Sequence, residues 1–218
     1  MTFRRVGAAH DSAEPGAYAS ASYIRSLILS GGGDWRASMP EESAAVAARE
    51  IAAGRGPVSL AHCERAVLAR LRTMEEEDFA PYDGGGEGLY HRFYRAVSEG
   101  RNLQEILEGA KTKRYTLARL RRLLLHSYLG IRPVEATDMP PYLRVLGFSD
   151  AGRGLLRRMA EEAALPVVVR PGQVHGLGPQ AQALFDKEML ADDLYALALP
   201  SWRDTRPGDG WRRGAVMV

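Results

Sequence analysis

Two short stretches of this sequence carry residue types that can hold phosphate. The first is Ser20-Ala21-Ser22-Tyr23-Ile24-Arg25. If a helix opens there, its first N–H groups have no partners within the helix and point at any bound anion. Two hydroxyls stand at that mouth, and Arg25, one turn in, adds a fixed charge able to hydrogen-bond phosphate. Such a set suits a nucleoside triphosphate. The same spacing also describes an N-cap followed by a surface arginine, and S-x-S-x-x-R taken alone is more often that.

The second stretch is a run of cations. Lys111, Lys113, Arg114, Arg119, Arg121, Arg122 and Arg132 fall within residues 111–132, where there is no acid. On a helical wheel from Thr116, Leu117, Leu120 and Leu124 share one side, Arg119, Arg122 and His126 the other, and Arg121 the margin. One face therefore packs while the other offers guanidinium groups to an anion such as an RNA backbone. A solvated surface is the ordinary fate of such charges, but no acid within the run can neutralise these through intrahelical pairs. Tyr115 suits either a stacked base or a core position.

Other candidates reduce to structure. Cys63 lies on an apolar face, as a small buried hydrophobe. The five histidines, His10, His62, His91, His126 and His175, show no metal-ligand spacing, so no metal is expected. Gly172–Gly178 has glycines but no helix-opening Lys-Ser/Thr, so it is not a phosphate loop.

These residues must be positioned by helices. Thr2–Asp11 reads as a short strand and loop. The helix opened by Ser20 should stop near Gly31-Gly32-Gly33, the first plausible domain boundary. A second runs from Glu41, after Pro40, to Ala53. Ser59 is placed to cap a third, with Leu60, Cys63, Val67, Leu71 and Met74 on one face. A loop at Pro81–Gly86 precedes a helix with Leu89, Phe93 and Val97 inward. Asn102 should cap Leu103–Gly109, and Thr116 a longer helix through Leu129 that ends at Gly130. Tyr142–Phe148 and Pro166–Arg170 read as short strands around a helix capped by Ser149. A last helix covers Pro179–Leu199, and the tail from Ser201 looks irregular. The fold class is mainly α, a helical domain with a small strand element.

The bulk numbers agree with this reading. The 218 residues are 45% hydrophobic, enough for one sizeable core or two small ones. Net charge is only +2, so the basic run is a local feature; residues 75–87 balance it with six acids and no cation. No stretch approaches the roughly 20 apolar residues that span a bilayer. A single cysteine can form neither an internal disulfide nor a CxxC metal site, and a reducing cytoplasm is the expected setting.

Taken together, the two stretches resemble the tRNA(Met) cytidine acetate ligase family, within the HIGH-type nucleotidyltransferase superfamily. Arg4-Arg5-Val6-Gly7-Ala8-Ala9-His10-Asp11 followed by Ala19–Arg25 is similar to its Arg-Ile-Gly strand end, Tyr-His-Asp-like loop and Ser-Ala-Thr-x-Ile-Arg segment, with Ala9 for Tyr and Ser22 for Thr. Lys111-Thr112-Lys113-Arg114-Tyr115-Thr116, with Arg119 and Arg122 after it, resembles the family's Lys-x-Lys-Arg-Tyr-Thr-x-x-Arg-x-x-Arg string. Glu87-Gly88-Leu89, Val145–Phe148, Gly152-Arg153 and Asp193-Leu194-Tyr195 agree in order, so the likeness covers nearly the whole chain.

The resemblance implies an enzyme that joins acetate to ATP as acetyl-adenylate and acetylates the wobble cytidine of elongator tRNA(Met). It gives Arg5, Val6, Ser20, Ser22 and Arg25 the ATP contacts, and assigns tRNA to Lys111, Lys113, Arg114, Arg119, Arg121 and Arg122. Residues 1–30 would be the last piece of a Rossmann-like nucleotidyltransferase domain, and 31–218 a helical tRNA-binding domain. The family's His-x-Gly-His signature occurs nowhere in the sequence. The chain is therefore expected to begin near that domain's last strand and helix, and to be inactive alone. Two rival readings are a non-catalytic RNA-binding module and a nucleotidyltransferase acting on a small metabolite. The basic helix argues against the second.

Overall fold

The Ser20 hydroxyl accepts the Tyr23 N–H at 3.1 Å and so starts α1 (Ala21–Ser30) where the sequence predicts it. The helix ends at Gly31, whose φ of 65° only glycine adopts readily; there Gly31 and Gly32 return their N–H groups to Ile28 and Leu27. The structure, a computed structural model, describes residues 19–84, 88–132 and 139–218. Arg5, Val6 and the expected strand at Thr2–Asp11 lie outside the described residues.

These residues fall into two compact units, one of Met1–His62 with Ala198–Asp204, the other of Cys63–Leu197 with Thr205–Val218. In the first, a 3-10 turn at Trp35–Ser38 packs against both α1 and α2 (Glu41–Ala52), with Trp35 buried. Glu41 and Glu42 sit in the first turn of α2, where its dipole favours negative charge. The carbonyl of Gly54 accepts both the N–H and the hydroxyl of Ser201, at 3.0 and 2.9 Å, which fastens the 198–204 segment behind α2. A side chain at Gly54 would meet the Ser201 Cβ at 2.9 Å.

In the second unit, α3 (Glu64–Arg72), α4 (Leu89–Glu99), α5 (Leu103–Ala110) and α6 (Leu117–Leu129) surround a core of Val67, Leu71, Phe79, Leu89, Phe93, Ile106, Leu120 and Leu124. Asn102 caps α5 and Thr116 caps α6, as predicted. Ser59 does not cap α3. A 3-10 turn at Leu60–Cys63 intervenes, and the Ser59 N–H instead donates to His62 Nδ1 at 3.0 Å. The loop expected at Pro81–Gly86 is entered from a 3-10 helix that takes in its first two residues. Residues Glu76–Tyr82 form a 3-10 helix closed by reciprocal Glu75 and Asp78 bonds, and its Phe79 meets Phe93 edge-on at 5.6 Å.

Past α6 the unit builds a second core from Tyr142, Val168, Val174, Ala181, Phe185 and Met189, with Trp211 against it. Strands β1 (Leu143–Arg144) and β3 (Val167–Val168) pair in parallel, with α7 (Gly152–Glu162) between them in sequence. The Ser149 hydroxyl accepts the Gly152 N–H at 3.3 Å at the start of α7. The long helix is α8 (Pro179–Ala196), and its Glu188 accepts from Tyr142 at 3.0 Å and from Arg144 at 2.7 Å. Burial, followed by that carboxylate, pushes the Tyr142 phenol well up. The tail is not irregular. It forms α9 (Asp209–Arg212) and β4 (Val216–Met217), and β4 pairs in parallel with β2 (Gly147–Phe148). Among the described residues the architecture is mainly helical with two small parallel strand pairs.

Leu120 is fully buried at the centre of the α6 face. Leu120→Ala is expected to cost about 2–5 kcal/mol of unfolding free energy, read from urea denaturation. A cost under about 1 kcal/mol would remove Leu120 from the core.

Candidate functional sites

The serine segment occupies the N-terminus of α1. Ser20 is 3% exposed and its oxygen serves the cap, whereas Ser22 is half-buried and Arg25 is exposed one turn further on. The N–H groups of Ala21 and Ser22 precede the first i→i−4 bond, that of Ile24 to the Ser20 carbonyl, so this end can receive an anion.

In the second unit, the Lys-Thr-Lys-Arg-Tyr-Thr string divides its residues between scaffold and charge. Thr112 Oγ accepts the N–H groups of Arg114 and Tyr115 at 3.2 and 3.0 Å, and the Thr112 N–H returns to the Tyr115 carbonyl. This closes a tight turn between α5 and α6. Tyr115 is buried, with the Arg114 and Arg119 guanidiniums 5.7 and 5.4 Å from its ring centre. Of the two readings of Tyr115, the core position holds. Lys111, Lys113 and Arg114 stand exposed around the turn.

On α6 the structure corrects the wheel. Leu123 and Ser127 are buried beside Leu120 and Leu124, which rotates the packed stripe toward Arg119 and leaves Leu117 half-buried. Arg119 therefore lies at the edge of the core, its side chain 25% exposed and 3.2 Å from Asp83 Oδ1. The Asp83 side chain is only 2% exposed, and its other oxygen accepts the Tyr90 N–H at 3.3 Å. Arg121 and Arg122 are exposed. His126 is held below the usual histidine range by burial and then by the charge of Arg122. Asp83 is the site residue that sequence reasoning missed. Its signal was the acidic run at 75–87, of which this member joins the basic run.

Comparison with known proteins follows from this geometry. The profile of the HIGH Nucleotidyl Transferase family matches residues 1–208. The chain belongs to that family. It is similar to the protein named tRNA(Met) cytidine acetate ligase in Kosmotoga olearia, 35% identical over 93% of this chain and 52% of the relative. The protein of the same name in Thermotoga petrophila is 34% identical over 88% of this chain and 48% of its own length. Among solved structures, apo TmcAL of Thermotoga maritima superposes with a TM-score of 0.91 and 29% identity, covering 99% of this chain and 55% of that one. The same protein bound with alpha-thio ATP gives a TM-score of 0.86 over 94% of this chain and 53% of that one, also at 29% identity. The resemblance read in the motifs thus extends to sequence and fold, and the chain spans about half the length of the curated relatives it matches.

The Asp83–Arg119 pair yields a stability test. Arg119→Ala leaves a buried carboxylate without its cation, and about 2–4 kcal/mol of stability should be lost, the lower part of the buried-pair range because Arg119 still meets some water. Combining Arg119→Met with Asp83→Leu should recover most of it. Chemical denaturation of the three proteins checks both; an Arg119→Ala cost below about 1 kcal/mol would show that the pair is not structural.

Proposed function

We propose that this chain contributes the tRNA-binding face and one wall of the ATP site to a tRNA(Met) cytidine acetate ligase acting in the cytoplasm. The observation that carries the reading is the fold match to Thermotoga maritima TmcAL, which extends over 99% of this chain. In the proposed reaction an acetate oxygen attacks the α-phosphorus of ATP and pyrophosphate leaves. The amine of the wobble cytidine then attacks the acetyl carbonyl, AMP leaves, and the amine gives up a proton.

Residues 1–30 are assigned to the nucleotidyltransferase domain. There the start of α1 offers N–H groups to the phosphates, with Ser22 and Arg25 beside them, Ser20 setting the helix entry, and Arg5 and Val6 contributing from upstream. Electrostatic stabilisation of the triphosphate dominates such a step, and a helix N-terminus with an arginine supplies it. Residues 31–218 are assigned to tRNA. Lys111, Lys113, Arg114, Arg121 and Arg122 meet the backbone, and Arg119 joins them with what remains exposed of its guanidinium. A non-catalytic RNA-binding role would keep this second assignment without the first.

Two measurements test the reading. Affinity for a tRNA(Met) transcript should fall steeply with salt. Lys111→Ala with Lys113→Ala and Arg114→Ala should weaken it and flatten the log–log salt slope by about 0.7–0.9 per lost phosphate contact. An unchanged slope would return these side chains to the solvated surface. Separately, the sequence contains no His-x-Gly-His. The 218-residue chain alone should therefore show no acetate-dependent release of pyrophosphate from ATP, and release at a catalytic rate would overturn the one-wall assignment.

A further inference from the structure

The Asp83–Arg119 pair also borders a cleft of about 200 Å3, walled by Tyr82, Asp83, Arg119, Arg122, Leu123 and His126. Asp83 gives this cleft little negative field, because its carboxylate is buried and already held by Arg119 and the Tyr90 N–H. Arg122 brings positive charge to it and His126, one turn on along α6, a ring that can take up a proton, and neither has an ion-pair partner among the described residues. An anion between them would offset the Arg122 charge and favour protonation of His126. The volume excludes a large free ligand, since pockets that enclose a whole small molecule run to roughly 300–1,000 Å3. It suits one unit of a longer chain, with Tyr82 as a stacking surface and Leu123 as an apolar wall.

We propose that this cleft seats a single unpaired nucleotide of RNA, its phosphate held between Arg122 and His126. The proposal rests on the tRNA reading and sharpens it: the basic turn at 111–114 tracks the backbone, and the cleft selects an unpaired position. It also implies a proton linkage. In the free protein the His126 pKa is held down by burial and by Arg122, which favours the neutral ring. A phosphate favours its charged form, so binding takes up a proton and affinity rises as pH falls. Arg122 acts directly on His126, and the other titratable groups lining the cleft are Arg119 on α6 and Tyr82 and Asp83 beside it. Histidine is the residue type among these whose ordinary transition lies between about pH 5.5 and 8.

The test is binding of a tRNA(Met) transcript and of a blunt, fully paired RNA duplex to the full chain, at pH 6 and pH 8. The parent should bind the transcript several-fold more tightly at pH 6. His126→Gln should remove that pH dependence with little effect on the duplex, and Arg122→Gln should lower transcript affinity on the order of tenfold, more than it lowers duplex affinity. In the parent itself, the NMR titration of the His126 ring protons should move to higher pH when transcript is added, a readout that needs no variant. Equal transcript affinities for parent and both variants at both pH values would overturn the proposal. So would millimolar inorganic phosphate that displaces the transcript and shifts His126 by the same amount, since the cleft would then be a free-anion site. If those variants bind normally while the Lys111, Lys113 and Arg114 alanine variant does not, the cleft is wrong and the tRNA reading stands. If the parent binds no tRNA, both fail.

Discussion

A carboxylate removed from water costs several kcal/mol unless a cation and further donors replace its hydration. Asp83 meets that requirement with Arg119 on one oxygen and the Tyr90 N–H on the other. The contact joins three elements, because Asp83 ends the Glu76–Tyr82 turn, Arg119 lies in the first turn of α6, and Tyr90 lies in the first turn of α4. It also fixes the rotation of α6 about its own axis. With Arg119 turned to the core edge, Arg121 and Arg122 face outward and Leu120, Leu123 and Leu124 face inward. The proposed RNA face thus depends on a pair that is itself mostly hidden from RNA.

How much of this could be read from sequence depends on the range of each interaction. Thr116, Asn102 and Ser20 were legible as caps because the cap and the N–H it accepts are three residues apart. The helices they open followed from apolar spacing. The Asp83–Arg119 pair, its members 36 positions apart, leaves no local trace beyond two oppositely charged runs. The tail failed for the same reason: β4 is two residues long and finds β2 far back in the chain, so no local alternation announces it. At Glu76–Tyr82 the sequence, four acids and a proline counted from Glu75, shows no helical apolar spacing, and the expected loop begins at Pro81. The reciprocal Glu75 and Asp78 bonds and the burial of Phe79 stabilise a 3-10 helix there instead.

The phosphate-type residues were legible by kind and only partly by role. In Lys-Thr-Lys-Arg-Tyr-Thr, one threonine closes the turn, the other caps α6, and the tyrosine is buried against guanidinium planes. The basic side chains are what remains for solvent and ligand. At α1 the division is similar. Ser20, which the motif offered as a hydroxyl for ATP, is occupied as a cap, which leaves Ser22, Arg25 and the helix's own N–H groups for an anion.

Helix electrostatics supply an independent reason to read the start of α6 as a binding surface. Cations near a helix N-terminus oppose the macrodipole, at a cost typically of about 0.3–1 kcal/mol each, and acids are the stabilising choice there. Yet α6 has no acid in its first turn, carries Arg119, Arg121 and Arg122 within its first two turns, and is preceded by Lys111, Lys113 and Arg114. Asp83 offsets one of these charges from another element, which accounts for Arg119; Arg121 and Arg122 have no ion-pair partner among the described residues. A sequence under selection for stability alone gains by placing a glutamate at such a position, and none is present. Local rules broken without local compensation mark functional surfaces. In the proposed function an anion takes that place: it would satisfy the dipole and offset Arg121 and Arg122 together, and a nucleic-acid backbone offers a row of such anions.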